Sequence, residues 1–228
     1  MAGNLYFCGD THGEVDFHKL NSKHIQGHIT EQDYVIICGD AGVVWDGGKS
    51  DRYIQNWYLS KPWTTLFVDG NHENFDLLSQ FSTYNWNGGE IHKINDKLFH
   101  LKRGQIFNIK GKTLFTMGGA PSTDKIHRKE GVSWWAQEIP SREEFDLGLE
   151  NLAKHNNRVD YIVTHDVPDK ILDTLSHNNY KHNIVTNYLE VLRTTVNYNH
   201  WFSGHYHIDK DFDEDGISIL YNRVVTIV

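Results

Sequence analysis

The stretch Leu5-Tyr6-Phe7-Cys8-Gly9-Asp10-Thr11-His12 decides the fold, because a short apolar run ends there in a glycine and a polar cluster. Three later stretches repeat this arrangement: YVIIC at 34–38 before GDAG, TTLFV at 64–68 before DGNHE, and YIVT at 161–164 before HDVP. Near-continuous apolar runs of this length are typical of strands that are buried on both faces. In an open α/β sheet, ligands bind at the carboxyl ends of such strands. The polar clusters are therefore predicted to line a functional site.

The segments between these runs predict the other layers. Helical patterns occur at 51–60, 143–155 and 185–196, and the second begins with the capping box of Ser141 and Glu144. Residues 91–119 alternate apolar and polar between turn signals, which indicates an antiparallel meander, and a second β-rich stretch runs from 201 to 225. The prediction is an α/β fold, a four-layer α/β/β/α sandwich with two mixed sheets face to face and helices outside. Since no linker divides the sequence, residues 1–228 are expected to form a single domain.

Composition narrows the possible partners. The 22 basic and 30 acidic residues give a net charge of −8, which argues against binding nucleic acid through its phosphates. No apolar run approaches the roughly 20 residues of a membrane span, and the first residues lack the pattern of a signal peptide. We therefore expect a cytoplasmic protein without a membrane or nucleic-acid partner. Cys8 and Cys38 lie in apolar runs and are interpreted as reduced core thiols.

The side chains after the strands have the chemistry of metal ligands. Imidazole and carboxylate together suit Mn, Fe, Zn, Co or Ni better than Ca or Mg. In Asp-x-His and His-x-His pairs, the two side chains point to the same face of an extended chain, roughly 7 Å apart. Such pairs can hold one ion or two adjacent ions. The candidate ligands are Asp10, His12, Asp40, Asn71, His165, His205 and His207, with His72 as a further possibility.

The order of these motifs resembles the calcineurin-like metallophosphoesterase superfamily, and a small bacterial and phage branch of it in particular. The motifs that this sequence shares with the superfamily are Asp-x-His, Gly-Asp-x-Gly, Gly-Asn-His-Glu, a lone His after a strand, and Gly-His-x-His, and they are spread over residues 8–207. The branch resemblance rests on residues 118–122, 133–135 and 138–141. The resemblance implies two metal ions, Mn or Fe in the first place, with Zn, Ni or Co as other options. One ion is held by Asp10, His12 and His207, the other by Asn71, His165 and His205, and Asp40 bridges both.

The resemblance also implies a reaction. A hydroxide bridging two ions roughly 3.5–4 Å apart attacks the phosphorus of a phosphate ester directly, without a covalent intermediate. Asp40 is implied to be catalytic through both ions. His72 faces the substrate as the candidate acid or transition-state stabiliser. Asn71 and His72 are also candidates for contacting the substrate, which is expected to be a nucleotide or another small phosphate ester.

The sequence departs from protein phosphatases of the superfamily at positions that bear on the expected substrate. Protein phosphatases of the superfamily carry arginines at the positions of Val44 and Asp69, and an Asp at that of Val43. The loss of these arginines disfavours a phosphoprotein phosphatase, because they would bind a phosphomonoester dianion bidentately. A phosphodiesterase remains, or a phosphatase for small monoesters that uses Arg128 from the irregular stretch 121–140. The alternative is a non-catalytic metal-binding module that retains the fold.

Other residues near the motifs are given structural roles. Asp46, Asp69 and Asp166 are interpreted as loop residues or as groups that orient metal-bound imidazoles. Trp134 and Trp135 are either a lid over the substrate or a packed aromatic pair.

Overall fold

The structure is a computed structural model that describes residues 3–21, 25, 29–176 and 180–228. Along these residues, the strands β1 to β13 are Leu5–Cys8, Tyr34–Ile37, Thr64–Phe67, Thr83–Trp86, Gly89–Asn95, Leu98–Leu101, Gln105–Ile109, Lys112–Met117, Tyr161–Thr164, His200–Ser203, Lys210–Phe212, Ile217–Ile219 and Val224–Ile227. The helices α1 to α5 are Lys49–Leu59, Phe75–Leu78, Arg142–Lys154, Asp169–Ser176 and Ile184–Thr195. Short 3-10 helices lie at Phe17–Leu20, Lys125–His127 and Ala136–Glu138.

The strands form two mixed sheets. Within the described ranges, one sheet has seven strands in the order β13-β1-β2-β3-β6-β5-β4. Its strands β1, β2, β3 and β6 run parallel, and antiparallel strands flank them. The other has six strands in the order β11-β12-β10-β9-β8-β7, of which β8, β9, β10 and β12 run parallel. The apolar runs β1 and β9 are buried along their whole length, as expected for central parallel strands.

Three apolar clusters of described residues define the layers. One joins the facing sides of the two sheets and includes Phe7 and Ile36 from one sheet with Val163 and Phe202 from the other. A second packs α1 against the outer face of the seven-stranded sheet. A third packs α3, α4 and α5 against the outer face of the six-stranded sheet. The predicted α/β/β/α sandwich of two mixed sheets is therefore confirmed.

The local predictions are confirmed for the helices and corrected for the meander. The helix α3 begins after Ser141, whose side chain and that of Glu144 form the predicted capping box. Residues 91–119 form two antiparallel hairpins, β5–β6 and β7–β8, but each hairpin belongs to a different sheet. The prediction of one continuous meander was wrong, because alternation specifies which faces are buried and not which sheet a strand joins.

Two smaller expectations concern the apolar parts of the chain. Cys8 and Cys38 are buried free thiols, as predicted. Among the residues that the structure describes, no helix has the length and apolar character needed to span a bilayer.

Candidate metal centre

The predicted ligands all follow the carboxyl ends of parallel strands. Asp10 and His12 follow β1, Asp40 follows β2, and Asn71 follows β3, which are adjacent in the seven-stranded sheet. The remaining three come from the six-stranded sheet. His165 directly follows β9, and the pair His205 and His207 follows its neighbour β10. Both sheets therefore contribute to one site at the edge where their strands end.

Asp40 lies at the centre of the cluster. Its Oδ2 is 3.5 Å from Nε2 of His12 and 3.5 Å from Nε2 of His165. The Asn71 Oδ1 lies 3.1 Å from the same nitrogen of His165. Nε2 of His207 is 3.1 Å from Asp10 Oδ2 on the other side. Asp40 therefore stands between one group of ligands around Asp10 and another around His165.

Backbone hydrogen bonds fix the two carboxylates. Oδ1 of Asp10 accepts the N–H of His205 at 2.9 Å, and Oδ1 of Asp40 accepts the N–H of His72 at 2.7 Å. Each carboxylate thus has one oxygen anchored and the other turned toward the histidines. Oδ2 of Asp10 is buried, and no hydrogen bond reaches it in the described structure, although His207 is near. A buried carboxylate oxygen without a donor is costly unless a cation fills that place.

The nitrogen ligands are oriented in the same way. Nδ1 of His165 contacts the carbonyl oxygen of Cys38 at 2.8 Å, and Nδ1 of His12 contacts Asp16 at 2.7 Å. Since both partners can only accept, Nδ1 carries the proton in each ring and Nε2 is the atom aimed at the site. Nδ2 of Asn71 donates to Ser122 Oγ at 3.1 Å, which leaves its Oδ1 for the site.

The two ligands after β10 are held by tyrosines. The ring of His207 stacks on Tyr221 with 4.7 Å between centroids and 13° between planes. Tyr206, which lies between the two histidines in sequence, donates its hydroxyl to Asp166 at 2.6 Å. The ring of His205 lies 4.8 Å from that of His165. The turn after β10 is therefore held by contacts of His207 with Tyr221 and of Tyr206 with Asp166.

In the part of the chain that the structure describes, two overlapping groups have their ligand atoms within 4.8 Å of one another: Asp10, His12 and His207, and Asp10, Asp40 and His165. Burial opposes ionisation of Asp40, but His165 and His12 outweigh it and hold the pKa of that carboxyl well below its usual range. Burial likewise lowers the pKa of His165, yet Asp40 and Asp10 raise it to about 10. The cluster therefore attracts positive charge strongly, and its oxygen and imidazole donors fit divalent transition metals.

Arg128 reaches the site from the stretch 121–140. Its guanidinium nitrogens lie 3.0 and 3.2 Å from the two ring nitrogens of His72, and it also pairs with Asp124. Burial lowers the pKa of His72, and the charges of Arg128 and neighbouring histidines lower it further against the opposing effect of Asp40. His72 is thus close to the metal ligands and next to a cation, but it is the backbone N–H of His72 that binds Asp40.

Sequence reasoning did not find the polar groups that support the ligands. Glu138 is fully buried, and its Oε2 accepts the hydroxyl of Ser122 at 2.7 Å, so that it acts on Asn71 through one intermediate. Asp16 orients His12 and was also missed; its position four residues after His12 was the available signal. Glu138 lies in the stretch 138–141 that carries the branch resemblance, but no sequence pattern indicated that it supports Asn71, which is 67 positions away.

The other residues near the motifs have structural contacts. Asp166 holds Tyr206, Asp69 pairs with Arg103 and His100, and Asp46 accepts the N–H of Gly48. Trp135 is buried, and its ring packs edge-on against Trp45. Of the two roles considered for the tryptophan pair, a packed aromatic residue therefore fits Trp135.

Comparisons with known proteins identify the family and a similar fold. Residues 3–209 match the family of calcineurin-like phosphoesterases. The fold is similar to that of a candidate 5'-nucleotidase from Staphylococcus aureus, solved in complex with alpha-ketoglutarate, with a TM-score of 0.52 and 15% identity. That likeness covers 98% of this chain and 50% of the other, so this chain spans half the length of that protein. At such low identity it shows the fold alone. No curated protein matches the sequence.

The family match covers most of the 228 residues and includes every predicted ligand. It confirms the resemblance that the order of the motifs predicted. The chain belongs to the family of calcineurin-like phosphoesterases.

Proposed function

We propose that this chain, as a single domain, hydrolyses a phosphodiester or a small phosphomonoester with the help of two divalent metal ions. The observation that carries the proposal is the grouping of ligand atoms from Asp10, His12, Asp40, His165 and His207, which come from two sheets, together with the buried Oδ2 of Asp10, which accepts no hydrogen bond in the described structure. Asp10, His12 and His207 would hold one ion, and Asn71, His165 and His205 the other. Asp40 stands between the two groups and would contact both ions.

Bound ions of this kind lower the pKa of water and neutralise charge on phosphoryl oxygens. The chain's own residues supply position and further charge. The anchored carboxylates of Asp10 and Asp40 cannot turn away, so their free oxygens stay directed at the site. His72 can donate a hydrogen bond to the leaving oxygen in its neutral form, which the lowered pKa favours. We therefore propose that His72 stabilises the developing charge rather than acting as a full acid.

Arg128 supports activity on monoesters. The arginines of protein phosphatases are absent here, but the guanidinium of Arg128 lies beside His72 and faces the same site. A monoester dianion carries one more negative charge than a diester, so it gains more from this cation. We propose that Arg128 contacts the phosphoryl oxygens, and that small phosphate esters, nucleotides among them, are accepted.

The central experiment compares 4-nitrophenyl phosphate with bis(4-nitrophenyl) phosphate in the presence of Mn, Fe, Co, Ni or Zn. We expect hydrolysis by the wild type and a loss of about a hundredfold or more in Asp40→Asn, because the ligand shared by both groups is removed. Arg128→Gln should lower the kcat/KM for the monoester more than that for the diester. Asp33→Asn is the matched control, since Asp33 is a buried carboxylate at the opposite end of β2.

Metal content gives a second readout. Wild type and Asp33→Asn should retain the same amount of tightly bound metal after gel filtration, while Asp40→Asn retains less. Binding of metal without hydrolysis of any ester would refute the proposed activity and favour the non-catalytic module. Equal losses for both esters in Arg128→Gln would remove the specific role of Arg128.

A further inference from the structure

A cavity of about 320 Å³ opens beside the metal centre. His12 and His72 are among the residues that line it, so it adjoins the place where the phosphoryl group would be bound. Its volume is in the range that small-molecule sites use. A phosphate ester bound at the metal ligands has its alcohol part close to this cavity. The cavity is therefore the candidate site for that part of the substrate.

The cavity is also lined by Trp45, which is firmly held. Trp45 is 36% exposed, and Val15 at the rim is 71% exposed. The ring of Trp45 is braced by Trp135, with 5.6 Å between centroids. The carboxylate of Asp51 accepts the backbone N–H groups of Trp45, Asp46 and Gly47 at 2.8–3.1 Å, which fixes the loop. A rigid, accessible indole beside a reaction centre is suited to contact a flat group.

Besides the two histidines, the titratable groups that line the cavity are carboxylates. Glu14, Asp46 and Asp51 line it, and no lysine or arginine is among its described lining residues. Glu14 and Asp46 are exposed, while Asp51 is occupied by the loop that it holds. The cation of the proposed site is Arg128, which contacts His72 and is not among the described residues that line the cavity. The cation therefore lies beside His72 at the metal centre, and the carboxylates line the cavity.

We propose that this cavity binds the alcohol part of the substrate, and that it selects flat groups that are uncharged or cationic. Trp45 contacts the flat face, and Glu14 and Asp46 accept hydrogen bonds or pair with a positive charge. Esters whose alcohol carries additional phosphates or carboxylates are disfavoured. The inference rests on the proposed function, since it assigns the substrate class of the same site.

The test uses two phenyl phosphates, one with a para aminomethyl group and one with a para carboxyl group, assayed with Mn. The wild type should prefer the cationic ester, and the ratio of the two kcat/KM values should fall in a variant with Glu14→Gln and Asp46→Asn. We expect a decrease of about twofold to fivefold for each carboxylate removed, the range for exposed charge pairs. The intrinsic reactivities of the esters cancel when ratios are compared between variants. Glu31→Gln, an exposed acid before β2, is the control and should leave the ratio unchanged.

Binding separates this inference from the proposed activity. Two benzylphosphonates with the same para groups resist hydrolysis, and their affinities can be measured by calorimetry with Mn present. Trp45→Ala should weaken both by about twofold to tenfold relative to methylphosphonate, because only the aryl compounds reach the indole. Hydrolysis with a charge ratio equal in wild type and the double variant would overturn the inference and leave the activity intact. Charge-selective binding of the phosphonates without hydrolysis of any ester would support the cavity's role and refute the activity.

Discussion

Four of the predicted ligands have a backbone conformation that is unfavourable for them. The φ angles of His12, Asp40, His205 and His207 are 42°, 49°, 69° and 51°, in the left-handed region that favours glycine. Each such residue costs on the order of 1–3 kcal/mol and persists only where the surroundings enforce it. Here the enforcing contacts include the bonds from the N–H of His205 to Asp10 and from the N–H of His12 to the carbonyl of Asp40. Backbone strain is therefore present at four residues with the proposed function.

His72 gives a prediction that distinguishes its two possible roles. If a neutral ring stabilises the leaving oxygen by a hydrogen bond, His72→Gln should retain more activity than His72→Ala, because the amide can still donate. We expect His72→Ala to lower kcat by about 10²–10³, the loss typical of one such donor. The measurement is kcat with 4-nitrophenyl phosphate at saturating metal.

Metal content must be measured in the same samples. It should match the wild type in both His72 variants, since no ring nitrogen of His72 belongs to the candidate ligand groups. Equal activity of the two variants would contradict the hydrogen-bond role, and wild-type activity in both would exclude any catalytic role.

The segment 119–141 links the site to the rest of the fold. Within this segment, the N–H of Gly119 donates to the carbonyl oxygen of Asp69, and the carbonyl oxygen of Gln137 accepts a hydrogen bond from Arg103. Arg103 is buried, and its guanidinium also pairs with Asp69 and Glu144. The segment is thereby fixed against the loop that carries Asn71, although it contains little regular secondary structure.

The same segment predicts an effect on metal binding. Ser122→Ala removes the acceptor that orients the amide of Asn71, and Glu138→Gln weakens the next bond behind it. We expect the affinity for one of the two ions to fall by about tenfold to a hundredfold, as for other groups that orient ligands. Calorimetric titration with Mn, which resolves two sites, is the measurement. Ser82→Ala, at an exposed position, is the control. If both titration steps are unchanged, Asn71 is oriented without these residues.

The parts of the fold that were predictable are those with a local pattern. The sequences of β1, β2, β3 and β9 are apolar runs that are each followed by a polar cluster, so the strands and the positions of the site residues could both be predicted. Arg128 was also singled out from its position in a long loop. The assignment of β6 and β7 to different sheets was missed, because alternation specifies which faces of a strand are buried and not which sheet the strand joins. Glu138 and Ser122 reach Asn71 only through tertiary folding, and no spacing reveals that.

The stability of the whole chain should depend on pH through His92. Burial, together with the charges of His100 and Lys102, lowers the pKa of His92 to about 4, whereas a histidine in an unfolded chain has a pKa near 6.5. Between these values the unfolded chain binds the proton more readily than the folded chain. The contribution of His92 to stability is therefore present above about pH 6.5 and is lost as the pH falls toward 4.

Urea denaturation at pH 7.5 and pH 5, with a chelator present, checks this. His92→Gln should lose less free energy of unfolding between the two pH values than the wild type. His155→Gln, an exposed histidine just after α3, should behave as the wild type does. An equal loss in His92→Gln and wild type would show that another group causes the acid sensitivity.

The position of the ligands at the ends of both sheets has a topological consequence. Asp10 and His207 lie near opposite ends of the chain, with their ligand atoms 3.1 Å apart. An ion held between them would act as a reversible crosslink that closes most of the polypeptide into a loop. Unlike a disulfide, such a crosslink exists only in the folded chain, because unfolding separates the ligands and releases the ion, so it stabilises the fold by the free energy of metal binding. The ions proposed for chemistry would thus also restrain the two halves of the sandwich from separating, and a chelator would release that restraint without breaking a covalent bond.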